Sequence, residues 1–416
     1  MSDFRFLHAA DLHLDSPLRG LEDDPTAPAA QIRNASRIAL GRLVDLALEE
    51  DVAFLLIAGD VYDGDWPDYR TGHFFMQQAA RLTRAGKHVF VIRGNHDAQN
   101  RMTRTLRATD DRLVIFDSAR AHTHRLERFG VAIHGQSFAE QEDTRNLAKG
   151  YPKAEAGMLN IGMLHSSVDG RPGHGSYAPC TTEDLLALGY DYVALGHIHR
   201  REVLSEAPWI VFPGNLQGRH ANEPGAKGAT MVTVAGGRIA GIAHRVLDAF
   251  RWARVEVDVA GAESEDAALA MVHAALADAL RDSEGRHLAA RVTLTGATGL
   301  HAALARDLAG LRERVAHEAH QVDPARLWVE AVRLRTAPAL DLDGLRGRGD
   351  ALGVLVRHME ALVADPPADL LGGWSADLLA KLPPQSLPED HPLREAESAD
   401  LLGRARDLLL AALAGG

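Results

Sequence analysis

The period of hydrophobic and polar positions changes repeatedly along the first 250 residues. Residues 4–9 (Phe-Arg-Phe-Leu-His-Ala) read as a strand. Residues 36–50 switch to helical spacing, with Ile38, Leu43, Leu46 and Ala47 on one side. Residues 52–58 (Val-Ala-Phe-Leu-Leu-Ile-Ala) form a short apolar run that suits a strand buried on both faces. Residues 71–85 are again helical, and 88–92 (His-Val-Phe-Val-Ile) again read as a strand. This strand–helix–strand–helix–strand order predicts α/β architecture. Further apolar runs at 113–116, 131–134, 159–164, 191–195 and 209–212 supply a second sheet, so the expected fold is a four-layer α/β/β/α sandwich. The alternating segment 229–246, with Gly236-Gly237 inside it, reads as a closing hairpin, and the first domain is expected to span residues 1–250.

The pattern then restarts. A strand at 254–259, a helix at 264–281, a strand at 289–294, a helix at 300–316 and a strand at 327–334 predict a smaller α+β domain over 251–336. Residues 337–416 form a helical C-terminal region. It is broken by the proline-rich stretch 381–392 and closed by a helix at 394–414 with Leu401, Leu402, Ala405, Leu408, Leu409 and Leu413 on one face. No internal repeat or low-complexity tract is visible.

Composition narrows the class. The chain has 416 residues, too many for one ordinary domain. Its 46% hydrophobic and 25% charged residues are ordinary for a soluble protein. No apolar run is long enough to predict a transmembrane helix. The N-terminus, Met1-Ser2-Asp3-Phe4-Arg5, lacks the basic-then-apolar layout of an export signal. The single cysteine, Cys180, cannot form an internal disulfide. The cytoplasm is therefore the expected compartment. A net charge of −12 argues against a surface built only to grip nucleic acid. It does not exclude a nucleic-acid enzyme, because bound metals add positive charge locally and carboxylate ligands inflate the acidic count.

The chemistry is concentrated where predicted strands end. Asp11-Leu12-His13 follows the first strand, and Gly59-Asp60-Val61-Tyr62-Asp63 follows the run at 52–58. Gly94-Asn95-His96-Asp97 follows the strand at 88–92, Gly196-His197-Ile198-His199 follows 191–195, and His165 ends the strand at 159–164. The carboxyl ends of sheet strands are where α/β folds build sites. Two divalent ions held close together need a shared charged bridge, which Asp60 can supply. Asp11 with His13, and His197 with His199, alternate along extended chain, so each pair can point to one side. Asn95 offers a neutral amide oxygen that relieves charge crowding. Mixed His/Asp/Asn ligation suits manganese, iron or zinc better than an all-oxygen cage. Glycines before Asp60, Asn95 and His197 permit tight turns.

In this order and spacing the motifs resemble the calcineurin-like metallophosphoesterase superfamily over residues 4–220. A narrower resemblance is to the SbcD-like branch of double-strand-break repair nucleases and, within it, to YhaO-type proteins. It is carried by residues 10–17 (Ala-Asp-Leu-His-Leu-Asp-Ser-Pro), 164–170 (Leu-His-Ser-Ser-Val-Asp-Gly), Tyr177-Ala178-Pro179-Cys180 and 212–220 (Phe-Pro-Gly-Asn-Leu-Gln-Gly-Arg-His). The resemblance implies that Asp11, His13, Asp60 and His199 hold one metal and that Asp60, Asn95, His165 and His197 hold the other. Mn2+ is the first choice, with Fe or Zn as alternatives. It implies that His96 is the catalytic histidine, donating a proton to the leaving oxygen or stabilising its charge, with Asp97 orienting it. Archaeal and eukaryotic members carry a histidine three residues after the bridging aspartate. Here that position is Asp63, which leaves open how it shares the work with His96. The implied reaction is metal-assisted phosphodiester hydrolysis with no protein nucleophile, so Cys180 reads as structural.

Other polar residues near these motifs are candidates for contact with substrate: Arg93, His134, Arg219 and His220, together with His174 in its Gly-rich loop and the aromatics of Trp66-Pro67-Asp68-Tyr69. The resemblance further implies that the second domain is a capping domain. It also implies a DNA substrate, an SbcC-like coiled-coil ATPase partner that the C-terminal helix could dock on, and a homodimer. The metal core alone would equally serve a small-molecule phosphodiesterase or nucleotidase. A scaffold subunit of an ATPase complex is the third reading, which the intact set of metal-binding residues disfavours.

Overall fold

Alternation along the first strand decides how the layers stack. The computed structural model describes residues 3–16, 29–63, 69–99, 110–170, 177–339 and 342–365, with scattered positions between 402 and 410. In chain order the first strands are β1 (Phe4–Ala9), β2 (Phe54–Ala58), β3 (His88–Ile92), β4 (Leu113–Ile115), β5 (His122–Leu126) and β6 (Val131–Gly135). They are followed by β7 (Leu159–His165), β8 (Tyr192–Gly196), β9 (Glu202–Glu206), β10 (Trp209–Phe212), β11 (Gly228–Ala235) and β12 (Arg238–Val246). Two six-stranded sheets result, ordered β12-β11-β1-β2-β3-β4 and β5-β6-β7-β8-β10-β9.

In β1, Leu7 and Ala9 face outward onto helices α1 (Ala29–Glu49) and α2 (Arg70–Arg84). There they meet Leu40, Leu43 and Val44 of α1 and share a core with Phe75, Ala79 and Leu82 of α2. Phe6 faces inward, into a layer shared by Phe54, Phe90 and Ile92 of the first sheet and Ile133, Ile161, Met163 and Tyr192 of the second. Phe6 and Phe54 stack at 4.8 Å between ring centroids. The outer face of the second sheet (Val193, Leu195, Ile210, Phe212) packs on Phe138, Leu147 and Leu185. The architecture is thus the four-layer α/β/β/α sandwich. Truncating Phe54 to Ala in that central layer should cost about 3–5 kcal/mol, because a fully buried ring leaves both lost transfer energy and a cavity.

β1, β2, β3 and β4 run parallel, with Phe6 opposite Phe54, Phe54 opposite His88 and Val89 opposite Leu113. In the second sheet β6, β7 and β8 are parallel, with His134 opposite Gly162 and His165 opposite Gly196. The carboxyl ends of β1, β2, β3, β7 and β8 carry the motifs that hold the seven expected metal ligands. β11 and β12 form the expected hairpin, and Gly236 and Gly237 both take positive φ (58° and 78°), as a two-residue turn matched to strand twist requires. β5 (His-Thr-His-Arg-Leu) and β9 (Glu-Val-Leu-Ser-Glu) were not anticipated. Both lie at edges of the second sheet and are mostly half-buried, so neither carries a clear apolar period. α1 begins at Ala29, earlier than the apolar spacing indicates, and residues Asn95–Gln99 form a short helix, α3.

The chain divides into two units, Met1–Ala253 with Leu280–Ala289, and Arg254–Ala279 with Ala290–Gly416. After α4 (Thr182–Leu186), the later elements are β13 (Phe250–Asp258), α5 (Glu265–Asp282), β14 (His287–Thr298), α6 (His301–Arg306), α7 (Leu308–Val322) and β15 (Leu327–Pro338). β13, β14 and β15 form a three-stranded sheet, on which Arg291 pairs with Glu330 at 2.6 and 2.8 Å. Two further helices, Leu342–Arg346 and Ala351–Ala364, follow. The proline-rich stretch 381–392 and most of the helix expected at 394–414 lie outside the described residues. Among the described residues no helix is long and apolar enough to cross a membrane.

Candidate metal centre

The segment after β1 does not leave the sheet freely. Asp11 N–H donates to Gly59 O (3.0 Å), His13 N–H to Asp60 O (3.1 Å) and Leu14 N–H to Val61 O (2.9 Å). This ladder continues past the regular strands and carries two candidate ligands from one chain beside a third from the other. Asp11, His13 and Asp60 take φ of 51°, 39° and 50°, and His197 takes 102°. A non-glycine residue held at positive φ is costly, so these four positions are fixed by their surroundings rather than by preference.

Three groups of donor atoms converge there, one of them His13, Asp63 and His96. In the first, Asp11, His13 and His199 are buried with ligating atoms within 4.8 Å of one another. In the second, Asp11, Asp60 and His165 are equally close, and Asn95 Oδ1 lies 3.0 Å from His165 Nε2. Asp60 Oδ2 is 3.3 Å from His165 Nε2 and 3.9 Å from His13 Nε2, so this carboxylate reaches from its own group to a histidine of the first, while Asp11 is common to both. His197 is 5% exposed, sets its ring 5.3 Å from that of His165, and donates its N–H to both oxygens of Asp11 at 3.1 Å.

The donor chemistry fits a pair of cations. His165 Nδ1 faces the carbonyl of Ala58 at 2.9 Å, and a carbonyl only accepts, so Nδ1 carries the proton. Nε2 of the neutral ring is then a lone pair facing the oxygens of Asp60 and Asn95. Three acceptors at that spacing repel unless a proton or a metal ion lies among them. In the other group, His199 Nδ1 lies 2.6 Å from Glu223 Oε1, which turns its Nε2 lone pair toward His13 Nε2 at 3.1 Å.

The electrostatics agree. Burial raises the Asp11 carboxyl to about 7, the charge of His165 opposing it and that of Asp60 adding to it. Asp60 is held below the usual carboxylate range, because the charge and hydrogen bond of His165 outweigh its burial. Burial would discharge His165, but the carboxylates of Asp60 and Asp11 carry it up to about 9. His13 and His199 go the other way: burial and the nearby charge of Arg219 lower His13 to about 4 and His199 well below the ordinary value.

Two glycines make the His165 arrangement possible. A Cβ on Gly59, whose φ is +96°, would stand 2.3 Å from His165 Nδ1. One on Gly196 would stand 1.9 Å from the Ala58 carbonyl oxygen that anchors the same ring. Either side chain would displace His165 or break its bond.

His96 and Asp63 sit at the more open side. The His96 side chain is 34% exposed, and its Nδ1 lies 3.2 Å from Asp63 Oδ1. Burial works against a charge on this ring, but Asp63 and Asp60 outweigh it and raise its pKa above the ordinary histidine value. Asp63 is held low against its own burial by His13, His96 and Arg219. His13 Nδ1 lies 3.3 Å from Asp63 Oδ1 but lacks hydrogen-bond alignment.

Asp97 does not orient His96 as expected. Its oxygens accept from the N–H groups of Val61 (3.1 Å), Tyr62 (3.0 Å) and Gly94 (3.1 Å), so it ties the turn after β2 to the turn after β3. The residue against His96 is Asp63. His134 is not at the site either. It is fully buried, its nitrogens lie 2.8 Å from Thr123 Oγ1 and 3.1 Å from Asn160 Oδ1, and its ring stacks on Tyr190 at 4.4 Å. Arg93 has its backbone fixed by Ser137 and Phe138, and its charge acts on Asp117. Arg219 is in the site, 3.5 Å from Asp63, 3.4 Å from Glu223 and 3.3 Å from His199 Nδ1. His220 lies beside it, 3.4 Å from Glu223. Tyr69 is 61% exposed, and His174, Trp66, Pro67 and Asp68 lie outside the described residues. Cys180 is buried with Sγ 3.1 Å from Ser166 Oγ, and burial pushes its thiol up to about 11, far from a thiolate nucleophile.

Glu223 was missed by sequence reasoning. It is 7% exposed, fixes His199 through Oε1, and accepts at Oε2 from Asn215 Nδ2 (2.7 Å) and Arg219 N–H (2.8 Å). The available signal was an acidic residue three positions after His220, at the end of the motif 212–220.

Comparison with known proteins agrees with this geometry. Residues 4–201 match the calcineurin-like phosphoesterase family, and residues 252–337 match the middle domain of the metallophosphoesterase YhaO. A Bacillus subtilis (strain 168) protein, "Uncharacterized metallophosphoesterase YhaO", is 37% identical over 276 residues, which are 65% of this chain and 67% of that protein. The "DNA double-strand break repair protein Mre11" of Thermoplasma acidophilum is 25% identical over 217 residues, 48% of this chain and 56% of that protein. Among solved structures, a dimetal phosphatase from Danio rerio covers 59% of this chain and 99% of its own at 13% identity, with a TM-score of 0.32, too loose a superposition to bear on function. A family match over the segment that carries the clustered donors, and a relative this similar along two thirds of its length, establish that the chain belongs to the calcineurin-like metallophosphoesterase family.

Proposed function

We propose that this metallophosphoesterase is a DNA exo/endonuclease that holds two divalent ions, Mn2+ by preference, and acts in DNA repair with an SbcC-like coiled-coil ATPase. The observation that carries the hydrolase part is the position of Asp60 between His165 and His13, beside the clustered donors that share Asp11, with the His96–Asp63 pair at the open edge. Asp11, His13, Asp60 and His199 would hold one ion, and Asp60, Asn95, His165 and His197 the other. When bound, such a pair supplies Lewis-acid activation of water and neutralises charge on phosphoryl oxygens.

The chain's own residues do the rest. His96 is charged more readily than an ordinary histidine and is reachable from solvent, so it holds a proton for the leaving oxygen. Asp63 fixes the His96 ring. Arg219, held only by contacts of 3.3 Å or more, can turn to a non-bridging phosphate oxygen, with His220 beside it. The DNA substrate is supported by the similarity to a repair protein over 48% of the chain, and the ATPase partner and a homodimeric state rest on the motif resemblance alone. The net charge of −12 favours a small phosphodiester or nucleotide as the second reading.

A substrate panel separates them. Purified protein with Mn2+, Mg2+ or Zn2+ is expected to degrade linear, hairpin or single-stranded DNA as well as a chromogenic phosphodiester. Cleavage of small phosphodiesters alone would overturn the nuclease reading, and co-purification with a coiled-coil ATPase would test the partner.

A further inference from the structure

Asp63 uses its two oxygens differently. Oδ1 faces the site, with His96 Nδ1 at 3.2 Å, His13 Nδ1 at 3.3 Å and Arg219 at 3.5 Å. Oδ2 accepts a hydrogen bond of 2.6 Å from the hydroxyl of Ser16. Ser16 is buried at 8% exposure, and its N–H donates to the carbonyl of His13 at 3.1 Å. The residue before it is clamped as well. Asp15 takes a 2.6 Å bond from Arg37 Nε, a second from the same guanidinium and another from Thr71, while its N–H donates to Ser36 Oγ at 3.1 Å. Arg37 in turn lies over the ring of Phe74. Ser16 therefore projects its hydroxyl from a corner tied to both helices of the outer layer.

A carboxylate turns easily about its terminal torsion, where the wells are broad. Unless Oδ2 is held, Oδ1 could swing between His13, His96 and Arg219. We propose that Ser16 is a positioning residue: its hydroxyl fixes the plane of the Asp63 carboxylate, so that Oδ1 keeps the His96 ring in the orientation that delivers a proton to the leaving oxygen. With Nδ1 facing Asp63 Oδ1 at 3.2 Å, Nε2 is the nitrogen left to carry that proton. It passes to the leaving oxygen as the P–O bond breaks, and the ring ends neutral. The assignment rests on the hydrolase reading of the site.

The test compares wild type, Ser16→Ala and Ser16→Thr with Mn2+ on two phosphodiesters, bis-p-nitrophenyl phosphate and a short single-stranded oligonucleotide. Nitrophenolate leaves without a proton, whereas an alkoxide needs one. The Ala variant should lose about tenfold more kcat on the oligonucleotide than on the nitrophenyl ester, the worth of one hydrogen bond to a charged group, with KM little moved, and Thr should restore it. Nitrogen-15 imidazole spectra of the metal-free chain give an independent readout. The His96 signals should shift in Ser16→Ala and return in Ser16→Thr, while those of His199 stay. If the Ala variant does not fold, Ser16→Cys keeps the volume and removes the strong donor. Equal losses on both esters, or unmoved His96 signals, would overturn the assignment. A wild type inactive on both esters would instead overturn the hydrolase reading, and the spectra would still decide whether Ser16 governs His96.

Discussion

His8 and His165 make a controlled pair. Both rings are fully buried on parallel strands, and both bond a backbone carbonyl of the opposite sheet, His8 to Leu195 at 3.1 Å and His165 to Ala58 at 2.9 Å. Yet burial takes His8 down to about 3, while His165 rises to about 9. His8 sits in the central apolar layer with the Tyr192 hydroxyl (3.0 Å) as its other partner among the described residues, whereas His165 faces Asp60 and Asp11. The same residue in the same kind of strand is core in one place and a charged partner of carboxylates in the other. Burial does not separate the two, and neighbouring carboxylates do.

The comparison can be broken at Asp60. Asp60→Asn removes the charge that distinguishes His165 from His8, and should bring activity to background and strip bound metal, read by turnover and by metal content of the dialysed protein. His96→Ala acts on the other side of the same division, at a residue clustered with His13 and Asp63 but outside the seven expected metal ligands. It should lower turnover by about 10²–10⁴-fold while metal content stays at the wild-type level, and a parallel loss of metal would show that His96 is a ligand instead. Glu223→Gln weakens a partner of His199 rather than a donor, and should reduce metal affinity by about 10–100-fold in a calorimetric titration.

The smallest effects lie in stability against pH, where the two histidines have opposite signs. His165 has a folded pKa above its unfolded value, so in the metal-free chain its contribution is full below pH 6.5 and fades as pH rises through about 9. His8 has a folded pKa below its unfolded value, so its contribution is full above pH 6.5 and fades as pH falls toward about 3. Urea unfolding of His8→Gln should show an acid-side slope shallower than wild type by about 1.4 kcal/mol per pH unit between pH 6 and pH 4. An unchanged slope would mean that His8 is not the neutral core residue its surroundings imply. In Asp60→Asn the alkaline loss should disappear.

The inner strands were legible because burial on both faces writes a continuous apolar run, and Asp11, His13, Asp60, Asn95, His165, His197 and His199 were legible because each follows such a run. The edge strands β5 and β9 write no such run. The resemblance sets Asp97, the next residue in sequence, against His96. Residues 95–99 are helical, however, and consecutive residues on a helix face different ways, so Asp97 turns back to the N–H groups of Val61, Tyr62 and Gly94. His134 ends an apolar run like the others, but the parallel register sets it opposite Gly162, three residues short of His165. That register depends on pairing between strands and is invisible along one of them. Glu223 lies in a loop, where only the path of the chain brings it to His199.

The placement of the donors along the chain also has a consequence in time. The first, Asp11, and the last, His199, flank almost half the polypeptide, and β1, which Asp11 follows, pairs on one side with β11, ending at Ala235. A ribosome adding about 5–20 residues per second delivers the last donor roughly ten to forty seconds after the first. Through that interval the nascent chain presents a carboxylate and an imidazole with no completed cage around them. A complete set of donors therefore exists only in chains synthesised at least as far as His199.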